Sequence, residues 1–204
     1  MDFEVQIPQS VENMHLPAPE LVQYYEDLDH RCIWVVGEIG PELLDLTSKI
    51  MKWNAEDRLV PVEERIPIRI YIFSPGGDLD VTLATLGVIG MSKTPVWTVN
   101  IGMAYSAAGL LLMAGHRRFA LPYSQALIHS GSSVIGGSYE QTTEQMKNYQ
   151  QMVAYMREFI LKHTRIEPKL LKKNSAKDWY ILTDDMLSLG LVDSIVESLD
   201  DIMV

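Results

Sequence analysis

Ser106 stands between two segments of opposite character. Before it, the β-rich run 96–99 turns through Gly102; after it, 106–113 is rich in Ala and Leu and reads as a buried helix ending at Gly115. A hydroxyl at that junction lies at a helix N-terminus, where unpaired N–H groups and the helix dipole would stabilise a tetrahedral oxyanion. Serine is also a favoured N-cap, so the position alone supports a nucleophile or a cap. His129 closes the apolar run 126–128, just before the Gly/Ser segment 130–133. Strand ends are where ligands bind in open α/β sheets, which suits a general base, although a hydrogen-bonded structural histidine fits the same pattern. The other histidines are less well placed: His15 in an N-terminal arm, His30 and His116 beside charged residues, His163 near a helix C-terminus. Asp178 precedes the apolar run 179–182, which could hold a carboxylate against an imidazole; a solvent-facing aspartate reads equally well. In Ser74-Pro75-Gly76-Gly77 the paired glycines either let the backbone approach a ligand and aim its N–H groups or simply make a tight connection.

The elements that must position these residues alternate. An irregular arm is expected over 1–20, with Pro8, Pro17 and Pro19, followed by a folded body over 21–204. The run 32–36 is a buried strand, and from Pro41 a helix presents Leu43, Leu44, Leu46, Ile50, Met51 and Trp53 on one face. The charged stretch 56–65 reads as a surface loop. A strand at 68–73, a helix at 79–91 and short strands at 96–99, 118–120 and 126–128 complete an α/β pattern with a largely parallel sheet. Ser138 and Gln141 form a capping-box pair at the head of a long helix to about His163, whose stripe of Met146, Tyr149, Met152, Val153, Met156, Phe159 and Ile160 needs a partner surface. Thr183 is expected to cap a short helix before a last strand at 191–196.

Composition excludes several classes. A formal net charge of -10 disfavours nucleic acid and anionic membranes as partners. No stretch reaches the roughly 18 apolar residues of a spanning helix, and the acidic N-terminus does not read as a signal peptide. Cys32 is the single cysteine, which fits a reducing compartment such as the cytoplasm.

Taken in order, these pieces resemble the Clp protease proteolytic subunit over about 21–196. The likeness is carried by Phe73-Ser74-Pro75-Gly76-Gly77, by Gly102-Met103-Ala104-Tyr105-Ser106 as a Gly-x-Ala-x-Ser motif, and by 111–124 leading into Leu127-Ile128-His129. Asp178-Trp179-Tyr180-Ile181-Leu182-Thr183 and Gly190-Leu191-Val192-Asp193-Ser194-Ile195 match the family's aspartate and C-terminal motifs. The resemblance implies an α/β fold of the Clp and crotonase superfamily, with repeated β-β-α units and a protruding helical handle at 138–163. It implies a Ser106–His129–Asp178 triad, an oxyanion hole from the N–H groups of Gly77 and Ala107, and Gly136-Gly137 as part of a strand that pairs with extended peptide substrates. It further implies stacked heptameric rings of the chain around a chamber, an ATP-driven unfoldase partner of the AAA+ type, and no metal or organic cofactor. The chain has no phosphate-binding P-loop of its own. Tyr105 and Ala107 stand where the family commonly has a small residue and a methionine, and Ser130-Gly131 where a Gln-Pro pair is usual. A crotonase-type acyl-CoA enzyme would share the fold, and a non-catalytic ring subunit the assembly.

Overall fold

The computed structural model describes residues 18–203, so the expected arm lies, through residue 17, outside the described residues. A helix that the sequence pattern did not suggest, α1 (Pro19–Asp29), opens the described chain with Pro19 in its first turn. Strand β1 (Cys32–Val36) and helix α2 (Leu43–Glu56) follow, with Leu43, Leu46, Ile50 and Trp53 buried. Leu44 and Met51, assigned to the same face, are 47% and 60% exposed. Next come β2 (Ile68–Ser74), α3 (Leu79–Met91), β3 (Val96–Tyr105) and α4 (Ala107–Ala114). All eight α4 residues are buried, as expected of a helix that is apolar on every side.

Strands β4 (Arg117–Ala120) and β5 (Gln125–Ile128) precede the long α5 (Tyr139–His163), whose Ser138/Gln141 capping box is formed as expected. The chain then runs through α6 (Pro168–Asn174), β6 (Trp179–Leu182), α7 (Thr183–Ser188) and β7 (Ser194–Ile195). Thr183 does not cap α7; its hydroxyl donates instead to the Ser124 carbonyl at 2.8 Å, tying that helix to the segment before β5.

The sheet has seven strands among the described residues. Strands β1-β2-β3-β4-β7 form the main path, while β5 joins β3 and carries β6 at its far side. Every pairing is parallel except β5 with β6. The decisive feature is β3, which runs six residues beyond the expected 96–99. Its first half, Trp97 to Asn100, pairs with β4, and its last residues, Met103 to Tyr105, pair with β5. Gly102 is therefore a strand residue rather than a turn. A Cβ there would come within 2.7 Å of the Phe73 ring, so glycine lets that half-exposed ring lie close against β3. Helices α2, α3 and α4 cover one face of the sheet, and a smaller cluster of Tyr71, Val99, Phe119, Val196 and Ile202 covers the other.

The charged stretch 56–65 is not simply a solvated loop. Asp57, 5% exposed, opens one short 3-10 turn, and Arg65, 9% exposed, follows a second. Asp57 accepts bidentate bonds from Arg31 at 2.6 and 2.8 Å and a third from the Thr94 hydroxyl at 2.8 Å. The Arg31 bonds hold its carboxyl below the usual carboxylate range against the opposing effect of burial. A depressed carboxyl contributes stability at neutral pH that disappears as pH falls below about 3.9 and through the folded-state value. Asp57→Asn should therefore cost about 3 kcal/mol at pH 7 and flatten the acid limb of stability against pH. Urea unfolding between pH 7 and pH 3 measures both; an unchanged acid limb would count against the assignment.

Candidate active site

Ser106 follows the last residue of β3 and precedes the first of α4. Its φ of 54° and ψ of -120° form a tight strand-to-helix corner, unusual for a residue with a Cβ. The corner is held by bonds from Ser106 N–H to the Leu127 carbonyl at 2.9 Å and from Leu110 N–H to the Ser106 carbonyl at 3.2 Å. Gly109, on the next turn of α4, allows that helix to lie against β3 and β5: a Cβ there would sit 3.1 Å from the Ala104 carbonyl oxygen and 3.3 Å from that of Leu127.

Register does the rest. Tyr105 pairs with Leu127, so Ser106 and His129 leave neighbouring parallel strands at the same end. The Ser106 Oγ and His129 Nε2 are 2.6 Å apart, a hydrogen bond. In the antiparallel β5–β6 pair, Ile128 faces Trp179, and one step further the same register sets His129 opposite Asp178. His129 Nδ1 and Asp178 Oδ1 are 3.7 Å apart, an electrostatic contact but too long for a hydrogen bond. The Asp178 side chain is 61% exposed and that of His129 24%.

The Gly76-Gly77 turn leaves β2 beside Ser106. A Cβ on Gly76 would lie 2.6 Å from the Tyr105 carbonyl oxygen, 2.9 Å from Ser106 Cβ and 3.0 Å from the Ala107 nitrogen, so only glycine allows this contact. Ser74 Oγ accepts from Gly76 N–H at 3.1 Å, and Gly76 O and Asp78 N–H bond to Ile39 on the other side. Gly77 N–H and Ala107 N–H have no acceptor among the described residues; Ala107 directly follows Ser106, and Gly77 follows the glycine packed against it. A cavity of about 20 Å³ beside Ser106 is walled by Leu110, Met113, Met156 and Ile160. Two larger cavities, of about 590 and 630 Å³, share no residue with it.

Gly136 and Gly137 lie outside any strand, in the coil before α5. Both backbone groups of Gly136 are occupied by one side chain: its N–H donates to Gln145 Oε1 at 3.3 Å and its carbonyl accepts from Gln145 Nε2 at 3.2 Å. Among the described residues no group of His, Cys, Asp and Glu side chains could hold a metal ion, and no helix is long and apolar enough to cross a membrane. Sequence reasoning assigned no role at the site to Ser130, Tyr149 or Ser175, yet next to His129 the Ser130 hydroxyl donates to the Ser175 carbonyl and the Ser130 carbonyl accepts from the Tyr149 hydroxyl. The Ser130-Gly131 departure was the only signal that could have pointed to them.

A parallel sheet that branches at a long strand, with a strained serine hydrogen-bonded to a histidine at the branch, defines an α/β protein with the geometry of a hydrolase site. The chain belongs to the Clp protease family, whose pattern matches residues 20–199. It is 32% identical over 180 residues to "ATP-dependent Clp protease proteolytic subunit 2" of Treponema denticola, covering 86% of each chain. It is 29% identical over 178 residues to the protein of the same name from Corynebacterium diphtheriae, again covering 86% of each, and 28% over 190 residues to that of Treponema pallidum, covering 92% of this chain and 93% of the relative.

Ser106→Gly relieves the left-handed backbone and should raise stability by about 1 kcal/mol, whereas Ser106→Ala keeps the strained corner and should not. Urea unfolding of the two variants side by side tests whether the corner is strained. Equal midpoints would show that it is not.

Proposed function

We propose that this chain is the proteolytic subunit of an ATP-dependent Clp protease and a serine endopeptidase. The observation that carries the reading is the 2.6 Å bond between Ser106 Oγ and His129 Nε2 at the N-terminus of the buried helix α4. In this reading His129 takes the hydroxyl proton as Ser106 oxygen forms its bond to the scissile carbonyl carbon. The negative oxygen is received by the N–H groups of Gly77 and Ala107. The tetrahedral species then breaks its C–N bond, His129 returns the proton to the leaving amine, and a water molecule releases the acyl group by the same path. Asp178 holds the imidazole tautomer and stabilises its cation once it closes the remaining gap; catalytic hydrogen bonds commonly tighten only with substrate bound. The cavity beside Ser106 has room for about one water molecule as it stands, but its lining is apolar and its two methionines can yield, which favours an apolar side chain before the scissile bond once they move. An extended peptide paired on Gly136 and Gly137 must displace Gln145.

The residues over 21–204 act in this reading as one peptidase domain, assembled with copies of itself into stacked rings and supplied with unfolded protein by an AAA+ unfoldase. The exposed first half of α5, with Tyr139 at 80% and Met146 at 46%, supports an interface between copies. The single cysteine supports a cytoplasmic setting.

A fluorophosphonate probe should label Ser106, located by peptide mass spectrometry, and short-peptide hydrolysis should fall by at least about 10³-fold in Ser106→Ala. Asp178→Ala should retain about 10–100-fold more activity than His129→Ala. An assembled sample that is not labelled but turns over an enoyl-CoA would move the chain to the crotonase class. Full hydrolysis by Ser106→Ala would exclude the serine mechanism. Gln145→Ala frees the Gly136 backbone and should lower KM for an extended peptide by about three-fold with kcat unchanged, read from initial rates; each exposed bond involved contributes only about 0.5–1 kcal/mol.

A further inference from the structure

The His129–Asp178 pair is bracketed. On one side lies the last β5–β6 ladder pair, Ile128 with Trp179. On the other, beyond the end of both strands, the Ser130 hydroxyl donates to the Ser175 carbonyl at 2.8 Å, a link across 45 residues. Ser175 is a firm anchor: it is 3% exposed, its N–H bonds to the Leu171 carbonyl at 2.9 Å, and Leu171 is 2% exposed within the core. A turn with a bond from Lys177 N–H to the Asn174 carbonyl at 3.1 Å separates that anchor from Asp178. The histidine segment is held from a second direction by the Tyr149 hydroxyl of α5, which donates to the Ser130 carbonyl at 3.1 Å. Gly131 follows with a φ of 82°, and a Cβ there would lie 3.1 Å from the Tyr149 oxygen, so the backbone bends closely under that hydroxyl.

We propose that Ser130 is a positioning residue that sets the separation of His129 from Asp178, with Tyr149 holding the same segment against α5. The proposal rests on the serine-peptidase reading. Without the Ser130 strap, no hydrogen bond beyond the Ile128–Trp179 pair ties the histidine segment directly to the aspartate segment among the described residues. An exposed Asp178 already 3.7 Å away would then swing free of the imidazole. Loss of alignment of this size lowers the rate of the chemical step and leaves peptide binding, made elsewhere, unchanged.

The test is a double-mutant cycle on the full chain, with a fluorogenic peptide bearing an apolar residue before the scissile bond and with the rate of fluorophosphonate labelling of Ser106. Ser130→Ala should lower kcat and the labelling rate about ten-fold with KM within about two-fold. Ser130→Thr, which restores the hydroxyl, should recover activity to within about two-fold of the parent. In an Asp178→Ala background, Ser130→Ala should cost less than about two-fold, because the pair it aligns is gone. Tyr149→Phe, which removes one oxygen and probes the strap even if Ser130→Ala fails to fold, should lower kcat about three-fold in the parent and not in Asp178→Ala. An unchanged kcat in both Ser130→Ala and Tyr149→Phe, or losses as large with Asp178 absent as with it present, would overturn the role. Activity surviving Ser106→Ala would instead overturn the peptidase reading on which it rests.

Discussion

The structure depends on one constraint, the way strand β3 changes partners along its length. Its first half holds β4 and, through β4, β7; its last residues hold β5, and β5 holds β6. Because ladder bonds are evenly stepped, this branching fixes the site without any direct bond being needed to specify it. Tyr105 opposite Leu127 puts the serine corner beside the histidine segment, and Ile128 opposite Trp179 sets Asp178 across from His129. A shift by one residue in either ladder would turn one of these side chains to the opposite face. The buried apolar faces of β5 and β6, with Ala126, Ile128 and Ile181 in the core, oppose such a slip.

The same geometry concentrates close contacts and strain where chemistry is expected. Ser106 occupies a left-handed conformation that costs on the order of 1–3 kcal/mol, and it is fixed by α4 behind it and β5 beside it. The helix is buried throughout, so its eight apolar residues supply far more stabilisation than the corner removes. Glycines occur where this packing leaves no room for a Cβ: Gly76 against Tyr105 and Ser106, Gly102 under Phe73, Gly109 against β3 and β5. Three separate close approaches thus converge on a stretch of fewer than ten residues around Ser106, which makes the corner rigid rather than adaptable.

How far the sequence revealed this depended on whether the governing interaction was local. Strand β1, helix α3, buried α4 and the Ser138–Gln141 box were legible because each is written in consecutive residues. The full length of β3 was not, since Gly102 has the composition of a turn and the strand is carried past it by pairing with β5, well beyond it in the chain. Asp57 looked like one more surface acid because its partner, Arg31, lies 26 residues earlier. Ser106 and His129 stood out by position at element ends, but Asp178 did not: it is selected by the antiparallel register of β5 with β6, a non-local property, and only the family's motif singled it out. The Ser130, Tyr149 and Ser175 links join three distant segments, and no periodicity records them.

The histidine segment is where these levels meet. On the strand side it is fixed by register, on the α6 side by the Ser130 hydroxyl, and on the α5 side by Tyr149, while the aspartate facing it is the most exposed member of the group. A site held firmly at the serine and histidine and loosely at the carboxylate has one soft coordinate. The stiff part is built from ladder bonds and core packing, which resist displacement at a cost of several bonds together. The soft part is governed by a single side-chain bond and a short turn, each worth about 1 kcal/mol, so its position follows whatever presses on α5 or α6. Alignment of the imidazole with the carboxylate is therefore the step at which contacts outside the site have the most influence on it.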